Sequence, residues 1–372
     1  MRSDAIVIGA GIHGCSVALH LARTGIEPVV FERSHPGRHA SGVNAGGVRR
    51  LGRHFSEVPL SVAAMKQWWD IRGLVDDDCG FESSGQVKVA ESEEEFEQLK
   101  SRVKKLELDG YEHEEIITRS ELKERIPAIS DHCHGAILCQ GDGHAKPFRT
   151  VRAFHAAAKR EGARFFHGQA VDSIKRIGQT WEVKTRDFTC AAPVLINCAG
   201  AWGNQIAALL DEHVPLEPTA LMLMISERLP HFCTPVVGAT QRTLSFKQFS
   251  NGTVLIGGGL KGYVDMSRQQ GHVDIDQLAI NARTARDIFP LMEKARIVRC
   301  WAGIEGVTPD QIPVISPSST HPDAYHVFGF SAHGFQLGPV TGSIISDLVN
   351  HQSTELPIED FRIERFIYAE HR

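Results

Sequence analysis

Two short runs near the start of the chain are apolar without interruption. Ala5-Ile6-Val7-Ile8 and Pro28-Val29-Val30-Phe31 lack alternation, which suits parallel strands buried on both faces. Between them, Ile12 to about Thr24 has helical character and stops at Gly25, a residue type that commonly ends helices. The opening segment therefore reads as a βαβ unit closed by Glu32. Further helices are predicted over Leu60 to Asp70, Glu91 to Leu108, Thr118 to Arg125, Val151 to Arg160 and Pro339 to about Asn350. Further strands are predicted at Gln86 to Ala90, Arg164 to His167, Trp181 to Thr185, Pro193 to Cys198, Thr253 to Ile256 and Tyr325 to Phe328. There is no repeat and no long linker, so the interleaving predicts two domains crossed several times by the chain.

Composition narrows the function. With 372 residues, 42% hydrophobic and 23% charged, the chain can bury a full core. A net charge of −5 and the lack of a long basic run argue against nucleic acid as a partner. The eight cysteines are dispersed without a CxxC pair, which argues against iron–sulfur and zinc-ribbon sites and fits a reducing compartment. His132, Cys133, His134 and Cys139 cluster, but their spacing matches no common metal site, so they read as strand and loop residues. No signal-like segment opens the chain and no run of 18 apolar residues occurs. A cytoplasmic protein without a transmembrane segment is expected, with peripheral membrane contact left open.

The turn after the first strand reads Gly9-Ala10-Gly11-Ile12-His13-Gly14. A GxGxxG run alone is weak, but this one follows a strand, opens a helix, and has Glu32 18 residues after its last glycine. Gly9 permits the tight turn, Gly11 lets backbone approach a pyrophosphate, and Gly14 permits close helix–strand packing. The helix start, with Ile12 and His13 in its first turn, offers N–H groups and partial positive charge to an anion. Glu32 can accept both ribose hydroxyls and would repel a 2′-phosphate, which argues against NADP. The fingerprint leaves FAD and NAD both open.

The segment from Arg33 to Arg49, RSHPGRHASGVNAGGVR, resembles the flavin loop of the D-amino-acid oxidase-like superfamily. It is most similar to the branch of sarcosine oxidase β subunits and proline, hydroxyproline and opine dehydrogenases. Four later segments match in order: Asp142 to Pro147, Leu195 to Trp202, Trp301 to Gly303 with Thr308 to Pro313, and Gly329 to Phe335. The resemblance implies an α/β fold, with a Rossmann-type FAD-binding domain over residues 1–85, 144–215 and 300–372. It further implies an interleaved α+β substrate domain with an antiparallel sheet over 86–143 and 216–299. FAD contacts are implied at Arg33, Ser41, Asn44, Ala45, Gly46 and Gly47, and at the Val171 backbone beside the adenine. Others are implied at Ala199, Gly200, Trp202 and Gly303, and at His333, Gly334, Phe335, Gln336 and Leu337. Gly338-Pro339 reads as the opening of the final helix, whose N-terminus would favour the negatively charged reduced flavin. Positions that anchor FAD covalently in relatives match Glu305 and Asn44 here, so non-covalent FAD is expected. The position that holds a second flavin in heterotetrameric β subunits matches Pro147. The carboxylate-binding lysine of monomeric sarcosine oxidases is replaced by Gln336.

For substrate, an arginine is the natural carboxylate clamp because its planar fork takes two oxygens. Arg49 is the first choice and Arg50 the second, and His333 is set beside the ring either as a flavin neighbour or as a structural histidine. His54 and Lys247 read more simply as surface residues. Trp301 reads as a substrate or flavin wall or as core, and Asp310 as an orienter of the Thr308 loop. The expectation is an FAD-dependent dehydrogenase or oxidase acting on an amino acid or secondary amine, with a quinone or partner subunit as a possible electron acceptor. The alternatives are a non-catalytic flavin subunit for relay or assembly, and an NAD-linked dehydrogenase.

Overall fold

The computed structural model describes residues 1–367. Ala5–Ile8 lies inside a six-stranded sheet ordered Val314–Pro317, Ala324–Phe328, Val194–Asn197, Ala5–Ile8, Pro28–Glu32 and Arg164–His167. Every pair is parallel except the first. The lack of alternation in the sequence has its cause here, because both faces are covered. Ala5 and Val7 pack under helices, while Ile6 and Ile8 pack on a three-stranded sheet through Ile174, Trp181 and Val183. The helical layer contains Ile12–Arg23, Val58–Trp69, Pro147–Arg160 and Gly334–His351. A Cβ on Gly338 would stand 2.6 Å from Ile12 Cδ1, and one on Gly342 would stand 2.3 Å from Ser16 Oγ. These two glycines therefore let the last helix lie directly against the first.

The second sheet has ten strands. Nine follow the order Gln270–His272, Lys261–Asp265, Glu217–Arg228, Thr253–Gly257, Ser245–Gln248, Val236–Ala239, Gln86–Ala90, Gly135–Cys139 and Glu115–Thr118, while Ile297–Val307 also pairs with Glu217–Arg228. Its pairs are antiparallel except Val236–Ala239 with Gln86–Ala90. A short ribbon, Gly47–Val48 with Gly143–His144, ties the loop after Glu32 to the segment returning from this sheet. Among the described residues no helix is long and apolar enough to cross a membrane.

The structure corrects several boundaries. A division at residue 300 cuts through the strand Ile297–Val307, which belongs with the larger sheet. The final helix begins at Gly334, and Pro339 lies inside it. Pro339 is the sixth residue of the helix and has no N–H to donate, so the Phe335 carbonyl lacks its usual intrahelical partner. The helix expected from Val151 starts at Pro147, with proline in its first turn. A helix at Ile275–Ile288 was not expected, although Asp274 caps it by accepting from the Asp276 and Gln277 amides.

Candidate active site and cofactor cavity

One cavity of about 520 Å³ is lined by both sheets. Its first end is the turn between the first strand and helix. A Cβ on Gly9 would stand 2.5 Å from the Cys198 carbonyl oxygen, and one on Gly14 would stand 1.9 Å from the Gly9 carbonyl oxygen. Both glycines thus permit backbone packing, and Gly14 does not itself line the cavity. Gly11, Ile12 and His13 do line it. No side chain caps the first helix from its N-cap Gly11, and its first turn has no acid. The Ile12 amide donates to Ser41 Oγ at 3.0 Å, which leaves the rest of this first turn open to an anion.

Glu32 is held rigidly at the end of its strand. Oε2 accepts from the Ala10 amide and Oε1 from the Ser34 amide, each at 2.8 Å, and the carboxylate still borders the cavity. Beside it, the Arg33 guanidinium stacks over Trp202 at 4.5 Å, and Val171, Ala199 and Gly200 complete this end.

The loop 41–47 forms one long wall. Asn44 lines it but uses its side chain internally: Nδ2 donates to the Ala40 and Ser41 carbonyls, and Oδ1 accepts from the Gly46 amide. A Cβ on Gly46 (φ +71°) would stand 2.2 Å from the Ala145 carbonyl oxygen, so only glycine fits there. Ser41, Ala45 and Gly47 border the cavity, as does Gly303, which packs against Val43 of this loop. Lys247 is buried and donates to the Ala45 carbonyl; burial pushes its ammonium down to about 7. This corrects its reading as a surface lysine. Trp301 likewise holds the loop, donating from Nε1 to the Val43 carbonyl at 2.9 Å.

The far wall is the start of the last helix. His333, Gly334 and Phe335 line the cavity, and no side chain caps the helix from His333. Gln336 and Leu337 are fully buried and do not reach the cavity. The early helix start explains the difference, since the exposed turn is occupied by residues 333–335. Ser331 (φ 49°) and Ala332 (φ 70°) precede it in the left-handed region, a conformation costly for these residue types. The Ala332 amide donates to Glu305 Oε1 at 2.5 Å, and burial pushes the Glu305 carboxyl up to about 7.

Beneath this turn is a buried polar group that sequence reasoning missed. Arg53 donates to the Arg49 carbonyl, the His333 carbonyl (2.9 Å) and Gln336 Oε1 (3.0 Å), and its Nη1 lies 3.6 Å from Glu57 Oε1. Gln336 in turn donates to the Ser61 carbonyl, and its own carbonyl accepts from Trp68 Nε1. Burial pushes the Glu57 carboxyl up, but contact with His333 and the charges of Arg53 and Arg49 outweigh burial and hold it at about 2. Burial pushes the His333 imidazole down, so it is neutral near pH 7. The only available signal was the i,i+4 spacing of Arg53 and Glu57, which reads more simply as a surface pair.

Past the loop the cavity opens into a chamber bordered by Arg49, Leu51, Gln86, Lys88, Leu223 and Leu244. Arg49 enters it, whereas Arg50 turns away to Asp142 at 3.0 Å and His54 is exposed. Asp310 accepts from the Ile312 amide and pairs with Arg365 at 2.7 Å, away from the cavity.

The family model for FAD dependent oxidoreductases, DAO, matches residues 4–348. The chain belongs to this family. As a DAO-family protein it is FAD-dependent, and its residues fit the group: an uncapped helix start, a glycine path across it, and a fixed carboxylate at the end of the second strand. This FAD-dependent oxidoreductase is 26% identical to an opine oxidase subunit of Rhizobium meliloti, over 98% of this chain and 97% of that one. It is 27% identical to glycine oxidase of Bacillus licheniformis, over 98% of each. Its fold superposes on L-proline dehydrogenase from P. horikoshii with a TM-score of 0.91 and 25% identity, over 99% and 98% of the two chains.

Proposed function

We propose that this chain oxidises an amino acid or secondary amine with non-covalently held FAD. The observation that carries the reading is a single cavity running from the uncapped first helix and Glu32 to a chamber containing Arg49. The first-turn amides of Ile12–Arg23 would hold the pyrophosphate, and Glu32 the ribose. Arg33, Trp202 and the Val171 backbone would enclose the adenine. The loop 41–47 and Gly303 would lie along the ring, whose carbonyl edge would meet the Gly334 and Phe335 amides. Neither Asn44 nor Glu305 offers the histidine or cysteine that anchors FAD elsewhere.

When bound, the flavin supplies a two-electron acceptor for the substrate C–H bond. The protein does the positioning. Arg49 would bind the carboxylate through its fork, and the apolar wall of Leu51, Leu223 and Leu244 would keep water from the reacting carbon. His333, neutral and backed by Glu57, would present its other ring nitrogen beside the site. A neutral substrate amine needs no strong base. Two relatives are named as subunits of larger enzymes, one of opine oxidase and the other, HcnC of Pseudomonas aeruginosa, of hydrogen cyanide synthase. Both names support a partner chain as electron acceptor or assembly mate. A cytoplasmic location fits the eight free thiols. Anaerobic mixing of the yellow holoprotein with secondary amines and amino acids tests the reading. Bleaching by at least one amine is expected; a flavin that none reduces would instead fit a relay protein.

A further inference from the structure

The strand Gln86–Ala90 sends alternate side chains to opposite faces. Val87 and Val89 enter the apolar core with Leu138, Val237 and Phe246, so Gln86 and Lys88 face the chamber together. Lys88 pairs with Gly238 on one side and Ile137 on the other. Gln86 is buried, and its Oε1 has no hydrogen-bond partner. A buried acceptor in that condition needs a donor from whatever fills the chamber.

Lys88 and Arg49 share one end of this space. Arg49 Nη1 and Lys88 Nζ each lie 3.8 Å from the point a Cβ on Gly52 would occupy. Arg49 donates from Nη1 to the Leu51 carbonyl and has no carboxylate at ion-pair distance among the described residues. Lys88 has none either. The nearby acids are spoken for: Glu114 by Arg102 and the Gly52 amide, Glu95 by the Glu91 amide, and Asp142 by Arg50 and the Arg50 and Leu51 amides. Glu57 faces Arg53 and His333. Two half-buried cations held close together, with no carboxylate at ion-pair distance and every nearby acid shared with another group, call for further negative charge in the working state. One carboxylate would leave a net positive charge; two would cancel it.

We infer that the substrate is a secondary amine carrying two carboxylates, one bound by the Arg49 fork and the other by Lys88, with its N–H donated to Gln86 Oε1. This rests on the reading of the chamber as an amine-oxidation site. Lys88 is then the residue that selects a dicarboxylate over a monocarboxylate.

The test uses the FAD-loaded protein and two thioethers that resist turnover, thiodiacetate and (methylthio)acetate, with binding followed by calorimetry. Thiodiacetate is expected to bind at least about tenfold tighter, the scale of one charge-assisted contact. Lys88→Met should erase the difference and leave (methylthio)acetate affinity unchanged, while Lys88→Arg should retain most of it. Flavin absorbance reports that each variant is folded and loaded. Equal affinities in the parent protein, or an equal loss for both ligands in Lys88→Met, would overturn the assignment. Failure of the underlying reading is separately visible: then no secondary amine or amino acid, iminodiacetate and N-methylglycine included, bleaches the flavin. If N-methylglycine bleaches it faster and at lower concentration than iminodiacetate, the oxidation reading stands and the dicarboxylate assignment falls.

Discussion

Glu57 Oε2 lies 3.4 Å from His333 Nδ1, and both atoms are sealed from solvent. The separation is long for a hydrogen bond, and neither atom has a closer partner. Glu57 is also the counter-charge of Arg53, which grips the turn where the last helix starts. Glu57→Gln would leave Arg53 buried and uncompensated, a change that costs about 3–5 kcal/mol. The thermal unfolding midpoint should fall clearly, and the His333 titration should move lower still, because the Glu57 carboxylate supports its protonated form. A midpoint equal to that of the parent would contradict this account.

Two glycines of the fingerprint should fail in different ways. A Cβ on Gly11 would stand 2.9 Å from Ser41 Oγ, a group that can rotate, but it would block the path to the helix N-terminus. Gly11→Ala should fold and lose FAD affinity by about tenfold or more, the scale of one lost charge-assisted contact. Gly9 has φ +101° and would press its Cβ onto the Cys198 carbonyl. Gly9→Ala should therefore lower stability itself, by about 1–3 kcal/mol from backbone strain alone. FAD fluorescence titrations and apoprotein melts separate the two outcomes.

Arg49 should matter for substrate and not for cofactor. Arg49→Ala should stay yellow yet need about a hundredfold more amine for half-maximal flavin reduction. Arg49→Lys should recover little, because a point charge does not replace the fork. Anaerobic stopped-flow reduction measures this, and an unchanged concentration dependence would remove Arg49 from the carboxylate role.

Lys247 should give stability a distinctive pH dependence. Its folded value of about 7 lies below the ordinary lysine value of about 10.4. Below about pH 7 both states are protonated and the burial cost is present in full. As pH rises from there toward about 10.4 the folded state releases its proton first, and the cost fades. Lys247→Met should thus gain stability over the parent at pH 6 and progressively less at pH 8 and 10. Urea unfolding across that range is the check, and a pH-independent difference would show that Lys247 stays charged.

Glu212 behaves oppositely. Burial pushes its carboxyl up, but the His326 contact at 2.7 Å and bonds from Ser318 and the Ser319 amide outweigh that and hold it at about 2. Its stabilising contribution is present above the unfolded value of about 4.3 and is lost as pH falls toward 2. Glu212→Gln should flatten acid unfolding in that window, as followed by tryptophan fluorescence.

Local chemistry was legible directly. Gly14 answers a steric demand from Gly9 five residues earlier, and Gly9 and Gly11 answer Cys198 and Ser41, but the three keep a fixed spacing and Glu32 sits at the end of its own strand, so a one-dimensional pattern carries them. The apolar runs at Ala5 and Val29 were readable because full burial removes alternation. Glu217–Arg228 was not, since neighbours on both edges and a mixed environment leave its pattern without a period.

Through its glycine spacing and apolar runs, the amino-acid sequence by itself determined the nucleotide turn, the parallel strands beside it and the family to which they belong. Only the tertiary structure decided that Arg49 faces the cavity while Arg50 turns to Asp142, that Lys247 is buried under the Ala45 carbonyl, and that Glu57 meets His333. A charged residue looks the same in sequence whether solvent or protein surrounds it. Its surroundings here are set by segments 92 or more residues away along the chain, so burial and partners emerge only when those segments pack.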